Sequence, residues 1–120
     1  DSTGTPLQWQ INTLPRGFML TNSTMRYTKS SIAENAESQE QVGRVRAKPD
    51  LLHLVYSDGL ASVSVFIENR QNGEKHLQGA ANMGAVNAFG HPVEDYYVTV
   101  VGEVPEKTVR SMAKSAVKIK

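Results

Sequence analysis

Residues 51–68, LLHLVYSDGLASVSVFIE, constrain the fold more than any other stretch, because two strand-like runs meet there at an Asp-Gly pair. That arrangement predicts a β-hairpin with Asp58 and Gly59 as the two loop residues of a type I′ turn. The resulting cross-strand pairs include Tyr56/Ala61, Leu54/Val63 and Leu52/Val65, so one face is wholly apolar. The other face mixes Ser57, Ser62, His53 and Ser64 with Val55, Leu60, Leu51 and Phe66. A slip of one residue pairs Leu54 with Ser62 and His53 with Val63, which destroys the apolar face, and so the pattern selects a register.

The rest of the chain is read around that hairpin. Residues 1–6 are a polar lead-in, and Trp9 and Ile11 alternate with polar neighbours as a short strand. Pro15 and Gly17 suit a type II turn with proline at its second position, leading by a hairpin into a long, bent strand over residues 18–29. Residues 30–48 carry three acidic and three basic side chains among Ser, Gln, Asn and Ala, and predict a flexible loop with at most a short helix over residues 33–41. A second Asn-Gly pair within residues 69–75 turns the chain again. A Gly/Ala-rich strand over residues 76–89 implies a bulge or a closely packed neighbour, and Gly90-His91-Pro92 ends it. Residues 96–101, YYVTVV, form a further strand closed by Gly102.

Pro105 and Glu106 open a helix, the proline in its first turn and the carboxylate where the dipole favours it. Val109, Met112, Ala113, Ala116 and Val117 then form one apolar stripe at helical spacing. The sum is an α+β fold, a twisted antiparallel meander of about six strands with one C-terminal helix packed on a face. Gly79, Ala80, Ala81, Gly84 and Ala85 are the small residues over which that helix is expected to lie.

At 120 residues the chain is read as one domain, residues 1–120, and its start at Asp1 reads as a processed or excised fragment. A net charge of +1 gives no general polyanion signal, so nucleic acid is a poor partner. The absence of cysteine removes a disulfide framework and a thiol nucleophile, and no apolar run approaches the length of a membrane span. His53, His76 and His91 show no ligand spacing and are read as structural, without a metal. Asp58 beside Ser57 and His53 is a turn residue, not a catalytic acid, and no acid/base pair can be assembled. Asn22-Ser23-Thr24 matches a glycosylation acceptor but is read as idle.

Arg110, Lys114 and Lys118 recur every four residues beside the apolar stripe, and residues 103–120 hold five basic against two acidic side chains. The row reads first as a solvated face whose cations complement the helix dipole. The functional alternative is an electrostatic patch for an acidic peptide or for lipid phosphates.

Four blocks carry a family resemblance: LPRGF at residues 14–18, YSDGLAS running into SVF within residues 56–66, MGAVNAFG at 83–90 and VGEVP at 101–105. With these the chain resembles the MucB/RseB C-terminal domain. The resemblance implies a periplasmic regulator of sigma-E/AlgU-type envelope-stress signalling. Such a protein binds the periplasmic part of a membrane-anchored anti-sigma factor and shields it from proteolysis. It implies no enzymatic activity, no cofactor, and a larger lipoprotein-carrier-like N-terminal domain that is absent here and would take lipid or lipopolysaccharide. The alternative is a lipid, lipopolysaccharide or glycan carrier whose Gly/Ala-rich sheet face forms an apolar pocket. The resemblance carries over the fold but no set of binding residues.

Overall fold

A computed structural model describes residues 9–26, 51–69 and 77–119. Its elements are β1 (Trp9–Ile11), β2 (Met19–Arg26), β3 (Leu51–Ser57), β4 (Ser62–Asn69), β5 (Gly79–Met83), β6 (Val86–Val93), β7 (Tyr96–Gly102), α1 (Glu106–Lys114) and β8 (Ala116–Lys118). Six strands form one antiparallel sheet in the order β2-β3-β4-β7-β6-β5, and β1 pairs with β8 in a separate two-stranded ribbon. The α+β expectation of about six strands and one terminal helix therefore holds. The long-loop segment 30–48, the Asn-Gly pair at 72–73 and His76 lie outside the described residues.

The central hairpin forms, with a different loop. Ser57 pairs with Ser62, Leu54 with Val65 and Leu52 with Ile67, so four residues connect the strands instead of two. Side-chain chemistry explains the longer loop. The Asp58 carboxylate accepts hydrogen bonds from the Leu60 and Ala61 N–H groups, each at 2.9 Å, and the Ser57 hydroxyl accepts from Gly59 N–H at 2.9 Å. Gly59 takes φ +96° while Asp58 keeps a negative φ, which removes the type I′ assignment. Because the shift is two residues, side-chain parity survives, and Ile67 replaces Ala61 on the apolar face.

The sheet is two three-stranded meanders side by side, not one. The strand after β4 in sequence goes to the far edge, and β7 returns to pair with β4. Burial explains this choice: Val65, Val98 and Val100 are fully buried across the β4–β7 seam, whereas Gly/Ala-rich β5 has little to bury and sits at an edge. The predicted single strand over 76–89 is instead a hairpin turning at Gly84-Ala85, with Gly84 at φ +64°. Gly90-His91-Pro92 stays inside β6, because β5 pairs only as far as Gly90 and claims no N–H from Pro92.

One face of the sheet carries Leu52, Leu54, Tyr56, Val63, Val65, Ile67, Val98 and Val100, and α1 with the β1–β8 ribbon covers it through Val109, Met112, Ala113, Ala116, Trp9 and Ile11. Each large side chain fully buried there stabilises the fold by roughly 1.5–3 kcal/mol relative to exposure. The helix lies over β6 and β7, not over the small residues of β5 and its turn. The close approach expected at the Gly/Ala-rich strand occurs elsewhere: the Leu77 backbone carbonyl runs directly over Gly90.

Two further differences concern the N-terminal part. β1 pairs with β8 and not with β2, since Trp9 and Ile11 are buried against the helix side. In the turn at residues 15–18, Phe18 N–H donates to the Pro15 carbonyl at 3.1 Å with Gly17 at φ +84°, so proline holds the first position and glycine the third. The bend expected in the second strand is a bulge between Leu20 and Asn22.

Candidate partner-binding surface

The basic row depends on how α1 starts and stops. Pro105 is the N-cap, its carbonyl accepting from Thr108 N–H at 2.9 Å and Val109 N–H at 3.3 Å, and Glu106 occupies the first turn. The helix ends at Ser115, which binds back to Ser111 and Met112 through its N–H and to the Met112 carbonyl through its hydroxyl. Thr13 N–H donates to the Ser115 hydroxyl at 2.9 Å and Asn12 N–H to the Ser115 carbonyl at 3.3 Å, which ties the helix end to the chain after β1. The chain then leaves as β8. Ala116 and Val117 consequently belong to a strand, Ala116 buried and Val117 exposed, and Lys118 is not helical.

The three cations still share one side of the molecule through the aromatic rings beneath them. The Arg110 guanidinium lies 5.6 Å from the Phe89 ring centre and the Lys114 ammonium 5.7 Å from the same ring. Lys118 sits 4.7 Å from the Tyr96 ring, which meets Trp9 edge-on at 5.3 Å. Arg110 also pairs with Glu106, one helical turn earlier, its Nε at 3.1 Å from the carboxylate. Each cation–ring contact at an exposed site contributes about 0.5–1 kcal/mol, enough to restrain long side chains without burying their charge. The row is thus an ordered basic surface backed by Phe89 and Tyr96. Neither aromatic was singled out from the sequence as part of it, because the strand register that brings them under the cations is non-local.

The other sequence candidates stay apart. Ser57 and Asp58 are absorbed in the hairpin loop, while His53 lies in mid-strand, opposite Phe66 and Thr24. His53 stacks on Phe66, ring centres 4.4 Å apart, and burial followed by the charge of Arg26 holds its pKa below the ordinary histidine value. His91 lies beside Phe89. Among the described residues no three His, Asp or Glu side chains gather as metal ligands, and no helix is long and apolar enough to cross a membrane. Gly79 and Gly90 border a 320 Å³ cleft with Phe89, His91, Pro92 and Tyr97.

The family model of the MucB/RseB C-terminal domain matches residues 3–117. The chain belongs to this family. Among solved structures, the complex of Pseudomonas aeruginosa MucA and MucB is similar at 31% identity and a TM-score of 0.64, over 94% of this chain and 35% of that one. A MucB in complex with the periplasmic part of MucA is similar at 32% identity and a TM-score of 0.63, over 94% and 37%. A structure of MucB alone gives 31% identity and 0.57, over 92% and 32%. The chain therefore spans about a third of the length of the solved chains it matches. A comparison with curated proteins found no match.

Proposed function

We propose that this domain is the protein-binding, non-catalytic part of a periplasmic negative regulator, which binds the periplasmic segment of a membrane-anchored anti-sigma factor and shields it from proteolysis. The observation that carries this is the family membership together with similar MucB structures that contain MucA. Arg110, Lys114 and Lys118 are the contact residues we assign. Held on Phe89 and Tyr96, their charged ends meet an acidic stretch of the partner with less ordering entropy than free side chains would lose.

The test is a titration of the partner segment against wild type and a triple variant, Arg110→Glu, Lys114→Glu and Lys118→Glu, at low and physiological salt. Exposed charges are screened over roughly 8–10 Å, so wild-type binding weakens as salt rises, and charge reversal slows association more than it speeds release. The isolated domain binds weakly, because a larger N-terminal domain shares the contact and linked contacts gain effective concentration. Equal binding by both proteins in both salts would reduce the row to a solvated face. A lipid retained in a native mass spectrum would point to the carrier function instead.

A further inference from the structure

We propose that the outer edge of β2, with the cleft beside it, takes an extended acidic segment of a protein partner as an added strand, one carboxylate side chain resting on Arg26 at the cleft. This rests on the anti-sigma-factor-binding function proposed above and names a second contact for the same partner.

The edge itself is the first observation. β2 ends the strand order, and among the described residues no strand pairs with its outer side. Its residues are exposed except for half-buried Ser23, and Met19, Leu20 and Met25 are 65%, 37% and 42% exposed. Natural edges are blunted by lysine, proline or bulges. In β2 the bulge falls near its start, and from Asn22 to Arg26 the register is regular, with neither lysine nor proline. The opposite edge, β5, is less suited: it is five residues long and opens on Gly79 at φ +84°. Its Asn82 amide is turned back onto the Gly84 and Val86 carbonyls and the Asn87 side chain.

The cleft supplies the chemistry. It has a volume of 300 Å³ and is lined by Thr24, Met25, Arg26, Leu51, His53 and Phe66. No carboxylate is among those side chains, and Arg26 brings a guanidinium with several donors. His53 forms part of the lining, its Nε2 shielded from water and, among the described residues, without a hydrogen-bond partner. Thr24, Arg26, Leu51, His53 and Phe66 share the sheet face turned away from α1. Alternate side chains of an added strand reach that same face, so strand addition delivers a carboxylate to the cleft while its backbone satisfies the open edge.

The experiment uses the isotope-labelled chain and, as probe, the unlabelled periplasmic segment of a MucA-type anti-sigma factor. The expected result is exchange protection of the amides of residues 22–26 and a shift of the His53 ring signals on adding the segment. Arg26→Glu, at an exposed site, leaves the fold intact and weakens binding by roughly tenfold or more, and so does replacing the segment's Asp and Glu by Asn and Gln. Binding that perturbs only α1, with Arg26→Glu equal to wild type, overturns the β2 contact and leaves the proposed function standing. Failure of the segment to bind wild type at all overturns both. Protection that appears on concentrating the chain alone means pairing between copies and also overturns the inference.

Discussion

Replacing Gly90 by alanine tests the packing of the sheet's far edge most directly. A Cβ built on Gly90 would stand 1.9 Å from the Leu77 carbonyl oxygen, 2.8 Å from its carbon and 3.0 Å from Cε2 of Tyr97. Ordinary C···O contact begins near 3.3 Å, so the Leu77 backbone must retreat by about 1.4 Å. It cannot yield as a flexible side chain would, because the chain enters β5 two residues later and Gly79 pairs with Gly90 itself. Overpacking of this kind costs about 1–3 kcal/mol, against the 0.4–1 kcal/mol that Gly→Ala gains by restricting the unfolded chain. A net loss of about 1–2 kcal/mol follows, or a melting temperature lower by roughly 3–10 °C in a domain of this size. Because, among the described strands, β5 pairs only with β6, the amides of residues 79–83 should lose exchange protection more than those of β4 and β7. Urea denaturation gives the first quantity and hydrogen exchange the second. An unchanged urea midpoint together with unchanged exchange in β5 would refute the close approach of Leu77.

Gly59→Val should cost about 1–2 kcal/mol, since φ is +96° yet nothing lies within 4 Å of a Cβ there, and a shift in urea midpoint with no repacking elsewhere is the expected signature. Asp58 has its pKa lowered by the backbone hydrogen bonds of Ala61 and Leu60, so its contribution is present above the unfolded value of 3.8 and lost as pH falls through the folded value. Asp58→Asn should flatten the acid limb of the stability curve, and an unaltered limb would remove the carboxylate from that role. His53 is also depressed, by burial and then by Arg26, so the unfolded state binds its proton first as pH falls below 6.5. Stability from neutral His53 is present above 6.5 and lost as pH falls through its folded value, and His53→Gln should abolish that slope in pH-dependent urea melts.

What the sequence revealed was mostly parity and type. Alternation in residues 51–68 identified the apolar face, and the face survived although the register moved by two, because parity is indifferent to a shift of two. The type I′ expectation fails because Asp-Gly is a strong short-range signal and the competing signal is longer: Ser57 and Asp58 together offer acceptors to three N–H groups. Strand order was illegible for a different reason. Which strand lies beside β4 depends on comparing the apolar content of β5 and β7 across the whole sheet, and no local pattern expresses that comparison. The helical spacing runs past the helix itself, since Ala116 and Val117 continue the apolar stripe after Ser115 has ended the helix. Its basic row was visible as charge, while the rings that hold it lie on two other strands.

The two proposed contacts lie on different parts of the sheet, and their separation makes a prediction about a single partner. α1 lies over β6 and β7, three to four strand positions from β2 and on the face opposite the Arg26 cleft, so the path is roughly 14–19 Å across strands about 4.8 Å apart plus roughly 10 Å through the packed layers. An extended chain covers those roughly 24–29 Å in about seven to nine residues at roughly 3.3 Å each, so one segment can touch both contacts. Its second contact then forms at the effective concentration set by the short linker, in the millimolar range for a flexible one. Under that arrangement Arg26→Glu and Lys114→Glu each lose the benefit of the other contact. The double variant is then weaker than either single variant, because one binding event draws on both contacts. Two segments bound independently would instead give two sites per chain, each variant weakening one and leaving the other unchanged. Isothermal titration of the four proteins with one segment separates these outcomes, and a stoichiometry of two segments per chain would refute a shared segment even if both surfaces bind.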